Sequence, residues 1–146
     1  MTTAATDPLE IDTVTGRVVV PPSDIIQMVQ PMPGFESCRR YVLIAAPEMA
    51  PFTCLHGLDA PHPVFVTIDP RRVDPDYELA LGHAERRRLG VEGGEPLLWL
   101  APVLMSDSGS TVNLRAPIVV HPARMVALQV LGAESAYTTA HPLPGR

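Results

Sequence analysis

Residues 110–130 read STVNLRAPIVVHPARMVALQV, mostly β-branched and aliphatic, with Asn113, Arg115 and Pro117 set into the first half. Thr111, Val112 and Leu114 favour a strand, and Ile118, Val119 and Val120 start another. Pro117 has no N–H to give to a ladder, so it belongs at a strand start or a bulge. Asn113 is suited to satisfying backbone groups at such an irregularity, and Arg115 is expected to point to solvent. No nucleophile or base stands beside them in sequence. The interruption is therefore read as a junction between strands and not as a reactive site.

Working outward, the same β-rich character recurs at residues 15–20 (TGRVVV), 24–30 (DIIQMVQ), 40–46 (RYVLIAA), 52–57 (FTCLHG), 63–69 (PVFVTID) and 96–105 (PLLWLAPVLM). Within the quoted stretch, 111–114, 117–120 and 124–131 complete the set of expected strands. Turn signals separate them at Pro21 and Pro22, Pro31 to Gly34, Pro47, Gly57 to Pro63, Gly93 and Gly94, and Asp107 to Ser110. One helical stretch stands out, residues 79–90 (LALGHAERRRLG). Leu79, Leu81 and Leu89 would face inward, Arg86, Arg87 and Arg88 would be solvated, and Gly90 would end the helix. Many short strands at this spacing predict an all-β fold with one short helix, a small antiparallel β-barrel-like single domain over residues 1–146. The ends, about 1–8 and 143–146, are expected to be loose.

A chain of 146 residues, 46% apolar, can bury its own core. Its 17 prolines, scattered from Pro8 to Pro144, work against long helices and favour strands and turns. All 11 basic residues are arginine; with 16 acidic residues the net charge is −5. That sign argues against direct binding to nucleic acid or an anionic membrane and favours a basic protein partner. The start, MTTAATDPLEID, lacks the features of a secretory signal, and LLWLAPVLM is too short to span a bilayer, so a soluble cytoplasmic protein is expected. Cys38 and Cys54 are read as reduced structural thiols.

Motifs of catalysis are sparse. The segment SDSGS, 106–110, has the letters of a nucleophile elbow without its strand-turn-helix context, and reads as a polar turn. His56 and His62 flank one loop without an evident third ligand, while His121 and His141 each precede proline. No metal or cofactor is expected. The densest acidic stretch, DPRRVDPDYE, carries Asp69, Asp74, Asp76 and Glu78 around Arg71 and Arg72. Acid–base work would need one carboxyl to be desolvated. A proline-stiffened turn, either simply solvated or used as a docking edge for a protein, accounts for it better.

Five segments come in a familiar order: PGFE (33–36), PF with LHGLDAPHPVFVTIDP (51–52 and 55–70), DPDYELAL (74–81), TVNLRAPIVV (111–120) and YTTAHPL (137–143). This order resembles the flagellar assembly factor family FliW, over about Ile25 to Leu143. Pro33, Gly34, Thr111, Asn113 and Pro117 belong to the shared motifs. The resemblance implies a cytoplasmic, non-enzymatic adaptor with two protein partners, flagellin and the RNA-binding translational regulator CsrA. The resemblance further implies that the protein, once released as flagellin is exported, binds CsrA away from its RNA site, so that flagellin synthesis resumes. Two departures bear on partner preference. Gln30, Pro31 and Met32 stand where Asn-Gly-Leu is common, and His56 stands where glutamine is common. The acidic edge of Asp69, Asp74, Asp76 and Glu78 is the expected contact for CsrA. A rim made of Pro31, Met32 and Phe35 with Tyr137 and His141 is expected to offer exposed apolar surface to both partners. The alternative from another class is a small-molecule-binding barrel with its mouth near Trp99, His56 and His62, which needs a deep apolar cavity.

Overall fold

The computed structural model describes residues 8–13, 16–132 and 135–143, so most of the two ends expected to be loose lies outside the described residues. Strands β1 (Leu9–Thr13) and β2 (Gly16–Val20) form an antiparallel hairpin of their own. The following strands are β3 (Ile26–Met28), β4 (Arg40–Ile44), β5 (Thr53–Gly57), β6 (Val64–Ile68) and β7 (Leu98–Leu104). After these come β8 (Thr111–Val112), β9 (Ile118–His121), β10 (Val126–Gln129) and β11 (His141–Pro142), with one helix, α1 (His83–Leu89), between β6 and β7. Strands β7, β6, β5, β4, β3, β10 and β9 are neighbours in that order, and β9 returns to pair with β7. Seven strands thus close a barrel, the fold class expected from sequence.

One ladder departs from the antiparallel expectation: β3 and β10 run parallel, with Gln27 beside Val126 and Met28 beside Ala127. Parity requires this. An odd number of strands cannot alternate in direction all the way round a closed ring, so a seven-stranded barrel holds at least one parallel pair.

The opening stretch runs antiparallel along one edge of β7. Val112 lies opposite Val103, and Ile118 opposite Leu100. Six steps on one side therefore face three on the other, and the excess forms a bulge at Asn113–Pro117. The two segments are one interrupted strand on a common neighbour. Asn113 caps the bulge as expected, its Oδ1 accepting from the backbone N–H groups of Arg115 (3.0 Å) and Ala116 (3.1 Å). Arg115 does not point to solvent: it is half-buried, and its Nε donates to the Tyr137 carbonyl at 2.8 Å.

Alternation sorts the barrel residues into an inside and an outside. Ile26, Met28, Tyr41, Leu55, Leu100, Ile118, Val120 and Ala127 fill the interior. From the same strands, Trp99 and Val119 face outward under Leu89 of α1, while Ala101 packs with Ile68, Tyr77 and Leu114. Both faces of β9 are covered, which is why its four residues are all buried and its sequence is a continuous β-branched run. Helix α1 is shorter than the pattern suggested: Leu79 and Leu81 precede it yet still pack on its cluster. Glu85 Oε1 accepts from the Gly82 N–H at 2.6 Å, and Gly90 ends the helix at φ 75°, in the left-handed region that favours glycine. Arg87 and Arg88 are exposed, whereas Arg86 is half-buried with Nη2 on the Gly93 carbonyl.

Candidate protein-binding surface

The acidic segment is a pair of turns built by its own carboxylates. Asp69 Oδ1 accepts from the Arg71 N–H at 3.0 Å and starts a short 3₁₀ turn over Pro70–Arg72. Asp74 Oδ1 accepts from the Asp76 N–H at 3.0 Å, and Tyr77 N donates to the Asp74 carbonyl. Asp69, Asp76 and Glu78 are exposed and Asp74 is half-buried. Tyr77 turns inward, 4% exposed, and with the buried Pro70 anchors the segment.

That anchor joins residues far apart in sequence. The Tyr77 hydroxyl donates to the Leu114 carbonyl at 2.8 Å, and its ring lies 4.6 Å from that of Tyr137. The Tyr137 hydroxyl in turn accepts from the Glu78 N–H at 2.7 Å, and Leu114 N donates to the Thr138 carbonyl. The acidic edge, the bulge and the C-terminal segment are therefore one hydrogen-bonded unit. His141, half-buried, pairs with Val112 and extends the sheet there.

The Pro31–Phe35 turn reaches the same bulge from the other side. A cleft of about 140 Å³ at one end of the barrel is lined by Met32, Pro33, Phe35, Phe65, Pro102, Asn113, Ile118 and Gln129. Pro31, Pro33 and Gly34 are exposed, and Gly34 has φ 86°, which explains a glycine at the corner of the turn. Met32 corrects the expectation of an exposed rim: at 2% exposure it packs inside the barrel with Met28 and Cys38. Phe35 is half-buried, its ring edge-on to Phe65 at 5.1 Å. An apolar residue between two prolines reads as surface in sequence, but here the turn folds back and plugs the barrel end. Pro33, Phe35, Asn113, Arg115, Tyr137 and Glu78 then follow one another across the surface as a continuous strip.

Burial holds the Tyr77 hydroxyl at a pKa of about 12, with the neighbouring Tyr137 adding to the effect. The folded state thus keeps a proton that the unfolded chain gives up near pH 10. Tyr77 contributes stability below that pH, and the contribution is lost as pH rises through about 12. Replacing Tyr77 by phenylalanine is expected to cost about 1–2 kcal/mol at neutral pH by leaving the Leu114 carbonyl unpaired. It should also flatten the loss of stability between pH 10 and 12, as read by urea unfolding at each pH. An unchanged alkaline limb would assign the titration elsewhere.

His56 and His62 do share a space, a groove of about 470 Å³ between β1 and the β5–β6 region, but Trp99 is not in it. Trp99 packs against Tyr77 at 6.4 Å between ring centroids. The barrel interior is occupied by side chains, so the deep apolar cavity required by a small-molecule carrier is filled. Sequence reading missed Asp59, which organises the rim of this groove. Its Oδ2 accepts from the N–H groups of Arg39 and Arg40, and its Oδ1 from Arg40 Nε (3.0 Å) and Nη2 (2.8 Å). The Arg40 guanidinium is the main reason that the carboxyl pKa is lowered. The only cue was an Asp early in a Gly-to-Pro loop.

Cys38 and Cys54 are both free and buried, and among the described residues no group of three or more His, Cys, Asp or Glu is placed to hold a metal. Metal analysis of purified protein is expected to find no stoichiometric ion, and a chelator to leave the melting temperature within about 1 °C, since only a structural ion contributes folding energy. A drop of many degrees would reveal a site. Among the described residues, no helix is long and apolar enough to cross a membrane.

These features define a class: a small, side-chain-filled β-barrel whose polar irregularities lie on its outside. The FliW protein family profile matches residues 10–143. The chain is 35% identical over 129 residues to the flagellar assembly factor FliW of Geobacter sulfurreducens, covering 87% of this chain and 80% of that protein. It is 28% identical over 132 residues to FliW of Bacillus subtilis strain 168, covering 89% and 92%. A crystal structure of the flagellar assembly factor FliW superposes with a TM-score of 0.84 at 28% identity, covering 93% of this chain and 98% of that one. The chain belongs to the FliW family of flagellar assembly factors.

Proposed function

We propose that this protein is a cytoplasmic adaptor that binds flagellin and antagonises CsrA, coupling flagellin synthesis to flagellin export, and that it catalyses no reaction. The observation that carries this reading is family membership over residues 10–143, which also supports treating 1–146 as one FliW-like domain. A barrel interior filled by side chains favours recognition through surfaces and edges over catalysis in a pocket. The net charge of −5 suits a basic partner and argues against RNA or an anionic membrane. A pull-down from a flagellated cell lysate tests it: CsrA and flagellin should be retained, and retention of neither sinks the reading.

The acidic edge is the proposed contact for CsrA. Its carboxylates sit on turns already held by hydrogen bonds, so little entropy is lost when they meet a partner. Charges at the rim of an interface chiefly speed encounter. Reversing Asp74, Asp76 and Glu78 together is expected to slow association with CsrA by about tenfold at low salt and to flatten the salt dependence of the rate. Stopped-flow measurements across a salt series check this. Identical rates in the wild type and triple variant exclude the edge.

A further inference from the structure

The hairpin of β1 and β2 stands apart from the barrel sheet, and among the described residues β1 pairs with β2 alone. Leu9, Glu10, Ile11 and Asp12 all line the 470 Å³ groove in succession. In a strand, alternate residues point to opposite faces, so four consecutive residues border one space only if the strand presents its edge to it. The backbone N–H and C=O groups on that edge are therefore turned toward the groove. Across from them lie Leu58 and Val64, the latter 49% exposed, which make an apolar wall.

The groove also holds a polar group without a partner. His56 is 7% exposed, and its buried Nε2 makes no hydrogen bond. A polar atom left so in a buried position costs free energy that an incoming donor or acceptor would recover. Burial lowers the pKa of this imidazole, so the ring is neutral at pH 7 and can serve either way.

The charge around the groove selects the occupant. Glu10 and Asp12 share one guanidinium, Arg17, at 2.8 and 3.2 Å, while Arg40 is committed to Asp59. Three carboxylates thus face two guanidiniums, on a chain that is itself acidic. A second copy adding its own β1 in antiparallel register would bring Glu10 and Asp12 against their equivalents, and like charges across a ladder are unfavourable. We propose that the groove-facing edge of β1 from Leu9 to Asp12 takes an extended, basic segment of a partner protein as an added strand. Its arginine or lysine side chains would meet Glu10 and Asp12, and an aliphatic side chain between them would enter the groove against Val64 and over His56. This mode of recognition draws affinity from the main chain and specificity from alternate side chains.

The proposal stands apart from the assignment of CsrA to the acidic edge and is tested without either partner. The probe is a blocked peptide, Arg-Val-Arg-Val-Arg, titrated into isotope-labelled protein and followed by NMR. The expected result is shifts at the amides of Leu9 to Asp12 and at the His56 ring, with slowed amide exchange along β1. Val64→Arg, on the exposed wall, should weaken binding by about tenfold, and Leu104→Arg, 70% exposed outside the groove, should leave it unchanged. No shifts at β1 under saturating peptide would overturn the proposal, as would shifts confined to Asp69–Glu78 or equal binding of a Glu-Val-Glu-Val-Glu peptide. Concentration-dependent shifts at β1 without any peptide would give the edge to a second copy instead and equally overturn it.

Discussion

Replacing Tyr41 by alanine is expected to lower the free energy of unfolding by about 3–5 kcal/mol, the range for deleting a large buried ring. In a chain of this size that is a fall of roughly 6–20 °C in melting temperature. Tyr41 has no exposed surface and sits in the barrel among Ile26, Met28, Leu55 and Ile118, with Phe65 at 6.3 Å. Seven short strands close around it, and the Met32 turn is already seated in that interior. Tyr41→Phe should behave differently. The hydroxyl lies beside Cys38 without a hydrogen bond of good geometry, and burial raises its pKa. Removing it discards a buried, unpaired polar atom, so a change within about 1 kcal/mol of zero is expected. Urea unfolding of both variants provides the test. A loss near 3 kcal/mol for the phenylalanine variant would show that the hydroxyl has a partner after all.

Flagellin titrated into a preformed complex with CsrA is expected to displace CsrA completely, with no ternary species by native mass spectrometry or light scattering. The expectation rests on the proposed function. Accessible area does not force it: the molecule has 8558 Å² of surface, and a standard interface takes about 800 Å² from each partner. Exclusion therefore needs overlapping footprints or a coupled change of shape. The closed barrel offers few elements with two alternative packings, which favours overlap. The strip from Pro33 and Phe35 across Asn113 and Arg115 to Tyr137 and Glu78 gives overlap a physical basis: Pro33 and Phe35 line one cleft with Asn113, and hydrogen bonds join Asn113, Arg115, Tyr137 and Glu78. Two partners that each touch part of this strip would compete for it. A stable ternary complex would refute the shared footprint, whatever the two binary affinities.

What could be read from sequence follows the range of the interactions involved. The strands from Gly16 to Gln129 were visible because β-branched residues and alternation are local properties. Gly90 as the helix stop and Asn113 as the cap of an irregularity were visible for the same reason, since each acts on backbone within three residues of itself. Strand β1 escaped notice because LEIDT alternates with acids and, among the described residues, pairs with no barrel strand, and β11 because a His-Pro pair carries no strand signal at all. The acidic turns were found as a segment, but Tyr77, which ties them to Leu114, was not singled out.

The sequence by itself determined the class of fold, the acidic character, the short strands imposed by scattered proline, and the family. All of these are set by composition, local pattern or the order of motifs. Only the tertiary structure decided that β3 and β10 run parallel, that Met32 is core while Pro33 beside it is surface, and that Arg115 serves Tyr137 and not solvent. It alone placed Glu78 against Tyr137, and His56 in one groove with Leu9 to Asp12. Closing the barrel is the reason. Closure is a condition on all seven strands at once, and it fixes which residues meet across separations that no local window of sequence contains.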